Sequence, residues 1–127
     1  MSSVKVLMAE NQKLMRFGLK TLFEDYCEIS IIGEAETVKE TMEKCRALHP
    51  DVVLVGFGGN EGIEITKRIL DEINNGVKVI ILSSDATESN VTAALSAGAS
   101  AYVMKDINTE YLVMIIRTVD RKSTRLN

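Results

Sequence analysis

Apolar residues fall in five short runs at regular intervals: Val4 to Ala9, Ile29 to Ile32, Val52 to Val55, Val77 to Leu82, and Ala101 to Met104. Each run is rich in Val, Ile, Leu or Ala without strict polar alternation, the pattern of a strand covered on both faces. Enough residues separate consecutive runs for a crossover helix, and there the period changes. Leu14, Gly18 and Leu22, with Phe17 nearby, set a stripe at four-residue steps, and Ile65, Ile69 and Ile73 set another. Leu112, Ile115, Ile116 and Val119 give the i, i+3, i+4, i+7 face of an amphipathic helix. Start signals agree with this reading. Thr37 with Glu40 spells a capping box, Asp85 with Glu88 spells a second, and Asn108 stands where it can cap the last helix. The predicted order is (βα)5. Right-handed crossovers with helices on both faces make an open, doubly wound parallel α/β sheet the simplest packing.

Composition narrows the class. A chain of 127 residues with 46% hydrophobic and 26% charged residues and one proline is of single-domain size and ordinary globular composition. A formal net charge of -3 argues against broad electrostatic capture of nucleic acid, which requires many neutralised phosphates. Cys27 and Cys45 are neither a CxxC pair nor at zinc-ligand spacing from His49, so both are expected as reduced thiols filling core space. The methionines are likewise expected at core positions. His49, before Pro50, reads as the end of a helix. No run is long enough for a signal sequence or a membrane span, so a cytoplasmic location without membrane association is expected. Residues 1–119 are expected to form the domain, and 120–127, DRKSTRLN, a polar, basic tail or linker stub. Arg117, Arg121, Lys122 and Arg125, clustered toward the end of the sequence, read as a solvated helix terminus complementing its dipole.

In an open parallel sheet, ligands and chemistry sit at the carboxyl ends of the strands. Those ends bring together Glu10 and Asn11, Gly56, Ser83 and Ser84, and Lys105 with Asp106. The third is unusual: in PDVVLVGFGGNEG (50–62) the strand runs straight into glycines at 56, 58, 59 and 62. The segments VKVLMA before Glu10-Asn11, PDVV before Gly56, VIILSS at 79–84 and GASAYVMKD at 98–106 resemble the receiver domain of two-component response regulators. The likeness runs from Val4 to about Val119, and within the family it is nearest to the NarL/FixJ-type transcriptional regulators that carry a C-terminal helix-turn-helix. It implies the CheY-like, flavodoxin-like strand order 2-1-3-4-5. It also implies a Mg²⁺-binding acidic pair at Glu10 and Asn11, a phosphoacceptor at Gly56, a hydroxyl at Ser83, an aromatic switch at Tyr102 and a lysine at Lys105.

Two features depart from the family pattern at the centre of this set. Phosphoryl transfer to a protein needs a nucleophilic oxygen in line with phosphorus and a cation to neutralise the equatorial oxygens. Gly56 has no side chain, Asn11 is neutral, and Glu10 is a methylene longer than an aspartate. The loop from Gly56 to Gly62-Ile63-Glu64, read as the opening of the third helix, is also two residues shorter than the family pattern and lacks its proline. Asp51 sits at the wrong end of the strand to substitute. The expectation is therefore a pseudo-receiver: no enzyme activity, no bound metal, no cofactor, and a role as a regulatory protein-interaction module. Ser83, Tyr102 and Lys105 are retained, with Lys105 free to pair with Glu10 across the strand ends. A protein partner or homodimer is expected on the fourth helix, fifth strand and fifth helix (87–97, Tyr102, 112–119). DNA contact is expected only through a C-terminal domain absent from these residues. Two other readings stay open: a regulator that senses an anion or small molecule at a backbone nest formed by Gly56 to Gly62, and a small flavodoxin-like enzyme.

Overall fold

The computed structural model describes residues 3–73, 76–85 and 87–121. Its five strands are β1 (Val4–Ala9), β2 (Ile29–Ala35), β3 (Val52–Val55), β4 (Lys78–Ser83) and β5 (Ala101–Met104). They alternate with α1 (Lys13–Phe23), α2 (Val38–Leu48), α3 (Gly59–Glu72), α4 (Glu88–Ser96) and α5 (Thr109–Arg121). All pairings are parallel, in the order β2-β1-β3-β4-β5, the flavodoxin-like arrangement expected.

The lack of polar alternation in the strands has its reason in two cores, one on each face of the sheet. Val6, Met8, Leu54 and Leu82 face α1 and α5, where Leu19, Phe23, Leu112 and Ile116 cover them. Leu7, Val53, Val55 and Ile81 face the other three helices, meeting Met42, Ile65, Ile69 and Ala94. Ile65 and Ile69 are fully buried, and by holding α3 down they fix its first turn above the end of β3.

Helix ends follow local chemistry. The Thr37 side chain accepts from the Glu40 N–H at 3.1 Å, and Glu40 Oε1 returns a bond to the Glu36 N–H at 2.7 Å. His49 closes α2 in the left-handed region at φ 53°, as its place before Pro50 led one to expect. Gly98, after α4, has φ 109°, and a Cβ there would strike Leu70 as well.

Several expectations need correction. The second strand continues past Ile32 to Ala35, because an edge strand keeps its ladder to β1 while its side chains, Glu34 among them, stay half exposed. The fourth strand lies one residue later than predicted. The Asp85–Glu88 capping box does not form; Thr87 is the N-cap, and Asp85 accepts from Thr87 N–H and Asn90 Nδ2 instead. Asn108, by contrast, stands in the expected N-cap position directly before α5, where its backbone carbonyl accepts from the Tyr111 and Leu112 N–H groups. Glycines at 59 and 62 wind into α3, which opens at Gly59 rather than at Gly62. Cys45 is buried as expected, but Cys27 is exposed in the turn before β2. Met8 and Met42 are core residues, whereas Met114 is exposed. Asp120 and Arg121 of the expected tail belong to α5, while Lys122 and Arg125 lie outside the described residues.

Candidate functional site

The register of the sheet assembles the site. Ala9 pairs with Val55, so Glu10 and Gly56, each one residue beyond, come off adjacent strand ends. The Gly56 N–H is still engaged with the Ala9 carbonyl at 2.7 Å, and the Lys105 N–H with the Ser83 carbonyl at 2.9 Å. Glu10, Gly56, Ser83 and Lys105 therefore sit together at the carboxyl edge, and the last three line a polar cleft of about 300 Å³ with Asn11 and Ser84.

At the centre of that group is a carboxylate, supplied by β1 rather than β3. A Cβ built on Gly56 would run into the Glu10 carboxyl group, with Cδ at 2.9 Å and Oε1 closer still. Glu10 is only 1% exposed although charged. Its Oε2 accepts from the Gln12 N–H at 2.8 Å. Its Oε1 lies 3.2 Å from Lys105 Nζ, off the hydrogen-bond direction, and so has an ion-pair partner but no donor. The Lys105 ammonium donates to the Gly56 carbonyl at 3.0 Å and to Gln12 Oε1 at 3.4 Å. The extra methylene of Glu10 is what reaches the space that a side chain at 56 would fill.

This set is poorly matched to Mg²⁺, which wants carboxylate oxygens and several waters in tight octahedral geometry. The Glu10 carboxylate is turned to Lys105 and Gln12, the Gly56 carbonyl is taken by the ammonium, and Asn11 is neutral and exposed. The backbone nest at the glycines is also missing its geometry. Neither Gly56 nor Gly58 takes a left-handed conformation, and the Gly56 N–H is used within the sheet.

The remaining expected positions are tied to the loop between β4 and α4. Ser83 Oγ accepts from the Asp85 N–H at 3.0 Å and donates to the Asp85 carbonyl at 3.3 Å. The Tyr102 hydroxyl donates to that same carbonyl, and its ring is half-buried. Phe57 fills the space behind it: 2% exposed, it leaves only about 10 Å³ between itself, Ile63, Ile81, Ser83 and Tyr102. Asp106 and Ser84 are exposed.

Arg16, Phe57 and Asp85 were not found as site residues from sequence. Arg16 is buried on α1, and its guanidinium donates to the Glu10 carbonyl at 2.8 Å, to Glu34 at 3.1 Å and to Glu36 at 2.9 Å. Lys20 adds a bridge to Glu34 at 2.8 Å. The bond from Lys20, more than that from Arg16, holds the Glu34 carboxyl below its ordinary range. Arg16 carries no sequence signal, because a lone arginine in an amphipathic helix reads as solvated.

Comparison with known proteins agrees with the fold. The family model described as response regulator receiver domain matches residues 6–117. The transcriptional regulatory protein LnrK of Bacillus subtilis is 31% identical over 118 residues, covering 91% of this chain and 53% of that protein. LiaR, also a transcriptional regulatory protein of Bacillus subtilis, is 30% identical, covering 97% of this chain and 59% of its own length. The chain thus spans little more than half the length of these relatives. Among solved structures, the receiver domain of the putative response regulator NarL from Mycobacterium tuberculosis superposes with a TM-score of 0.88 at 21% identity, covering 95% of this chain and 98% of that one. With the family model matching most of its length, this chain belongs to the response regulator receiver domain family, a family of signalling modules.

Proposed function

We propose that this receiver domain signals without being phosphorylated, as a regulatory protein-interaction module. The observation that carries the reading is the Glu10 carboxylate lodged in the space that a side chain at position 56 would need, and paired there with Lys105. Gly56 offers no nucleophile. The Glu10 carboxylate at that point is buried and already engaged, and the cation that phosphoryl transfer requires lacks its ligands. Gly56 is on this reading the lost acceptor position, Glu10 and Asn11 the remnant of the acidic pair, and Ser83, Tyr102 and Lys105 retained scaffold. The switch side chain has nowhere to turn, since Phe57 fills the space inward of Tyr102.

The output surface on this reading is the face made by α4, β5 and α5, where Leu95, Tyr111 and Met114 are exposed and Tyr102 is half-buried. A protein partner reads that face. On this reading the domain is the N-terminal part of a transcriptional regulator and DNA contact is made elsewhere in that protein; similarity to transcriptional regulatory proteins of about twice the length supports it. The domain itself is not an enzyme on this reading, works in the cytoplasm, and needs no cofactor; among the described residues no helix is long and apolar enough to cross a membrane.

The test is beryllofluoride with Mg²⁺, and separately acetyl phosphate with Mg²⁺, titrated into isotope-labelled protein. The amide resonances of Ser83, Tyr102 and Lys105 stay in place. Saturable shifts at those residues would overturn the proposal. Gly56→Asp alone stays a poor phosphoacceptor, because the new carboxylate must share its space with Glu10; ordinary labelling by acetyl phosphate in that variant would contradict the spatial argument.

A further inference from the structure

Beside the strand-end site, an apolar groove of about 600 Å³ runs between α1 and α5. Leu19, Leu82 and Leu112, all buried, form its floor, and Leu14, Leu22 and Ile107 its more exposed rim. Gly18 opens the α1 wall between them: a Cβ there would meet nothing within 4 Å, so the gap is space and not a packing requirement. Small-molecule sites have this character, about 300–1,000 Å³ of mostly apolar lining with a few placed polar groups.

The polar groups gather at one end. α1 follows β1 and α5 follows β5 in a parallel sheet, on the same face, so both helices start at the carboxyl edge and run away from it side by side. There Gln12, Lys13, Lys105 and Thr109 line the groove, and the two helix N-termini add partial positive charge. The first turn of α1 holds no acidic residue, and the Gln12 side chain does not cap it. Asp106 and Glu110 are exposed nearby but do not line the groove. Lys105 is committed to Glu10 and the Gly56 carbonyl. Lys13 is exposed and has no ion-pair partner among the described residues.

We infer that this groove binds a medium-chain fatty acid, with the carboxylate at Lys13 and the tail lying past Leu14, Gly18 and Leu22. Charge complementarity sets the head, one anion against one unpaired cation. Beyond the head every lining side chain is apolar, so an extended peptide would leave its amide groups without partners, whereas an alkyl chain has none to satisfy. Length sets the tail. From Lys13 to Leu22 the helix rises about 13 Å at about 1.5 Å per residue, the extent of a saturated chain of about ten carbons.

The experiment titrates the isotope-labelled 127-residue chain with decanoate at pH 8, to about 1 mM, and follows its amide spectrum. The amides of Leu14, Gly18, Leu22 and Leu112 shift saturably, with a Kd of about 10–100 µM. Butyrate, which keeps the head and loses the tail, gives no saturable shift. Decanol, which keeps the tail and loses the charge, binds at least threefold more weakly than decanoate. Lys13→Gln weakens decanoate by about threefold and leaves decanol unchanged. Gly18→Leu fills the groove and weakens both at least tenfold, while keeping or raising the melting temperature, since leucine favours helix over glycine; loss of binding is then not loss of the fold. Phosphatidylglycerol vesicles leave the chain in the supernatant on centrifugation. Decanoate without saturable shifts overturns the inference, and so does decanol binding equal to decanoate, binding undiminished by Gly18→Leu, or co-sedimentation with the vesicles, which would assign the groove to a membrane surface.

Discussion

Alanine at position 56 measures how firmly Glu10 occupies the place of the missing side chain. Gly56 has no left-handed backbone angle, so nothing in its own conformation resists alanine. The cost falls on Glu10, whose carboxyl carbon would lie 2.9 Å from the new Cβ. To clear it, a side chain that is 1% exposed must give up the Gln12 N–H at 2.8 Å and the Lys105 ammonium at 3.2 Å. A hydrogen bond to a charged group is worth ~1.5–3 kcal/mol. The polar cleft above offers the displaced carboxylate water, so the cost stays below the ~3–5 kcal/mol of a fully stranded buried charge. Gly56→Ala is therefore expected to destabilise by about 2–3 kcal/mol, or roughly 8–12 °C in Tm for a domain of this size. In a Glu10→Ala background the obstruction is gone. The same substitution should then stabilise by about 0.4–1 kcal/mol through loss of unfolded-state freedom. The two sites should thus couple by about 3 kcal/mol, where independent sites add within ~0.5 kcal/mol. Urea unfolding of the four proteins, followed by far-UV circular dichroism at pH 7, gives the cycle directly. Additivity within that margin would mean that Glu10 does not fill this space, and would remove the foundation of the phosphorylation-free reading.

Other outcomes follow from single contacts. Thr37→Ala removes the side-chain cap of α2 and should cost about 1 kcal/mol, seen as a Tm lower by roughly 4 °C; an unchanged Tm would show that water caps the helix equally well. Burial pushes the Cys45 thiol up to about 11, while Cys27 is exposed, so Ellman's reagent at pH 8 should titrate one thiol rapidly in the native chain and the second only on unfolding. Two fast thiols would contradict the burial. The Glu34 carboxyl is held below its unfolded value, chiefly by Lys20. Its contribution is present above the unfolded carboxyl pKa and disappears as pH falls through the folded one. Glu34→Gln should therefore flatten the loss of stability on acidification, and an acid limb identical to that of wild type would refute the assignment.

Strand positions were legible because a doubly covered strand writes itself as a solid apolar run: Val52 to Val55 and Ala101 to Met104 were placed to the residue. The edge strand was read too short, since Glu34 and its neighbours look like loop when only one side of the ladder is covered. For α1 the period was right and the direction was not legible. Leu14, Gly18 and Leu22 repeat at helical spacing, but Leu19 and Phe23 repeat equally well, and only the packing decides which set enters the core. The site showed the same division. Strand ends and their residue types followed from the topology, whereas the lodging of Glu10 in the space at Gly56 depends on register and on the direction of one long side chain. A glycine in isolation says that something is missing; it does not say what has moved in.

Placement of that carboxylate bears on the outer face of α1 through one arginine. Arg16 grips the Glu10 carbonyl at 2.8 Å and two carboxylates at the end of the edge strand, Glu34 within it at 3.1 Å and Glu36 just after it at 2.9 Å. It thereby ties the helix to the end of β1 while Leu14, Phe17 and Leu22 project from the opposite side. A phosphoryl group would come and go at such a site, and any effect on α1 would come and go with it. The Glu10 carboxylate is covalently part of the chain, one residue beyond β1, so on the proposed reading the position of α1 carries no dependence on a donor. Arg16→Met, which keeps much of the buried stem but lets go of the Glu10 carbonyl and of both carboxylates, should destabilise the domain by about 2 kcal/mol, a melting temperature lower by roughly 8 °C. An unchanged melting temperature in Arg16→Met would show that packing alone, and not this guanidinium, holds α1 to the strand ends.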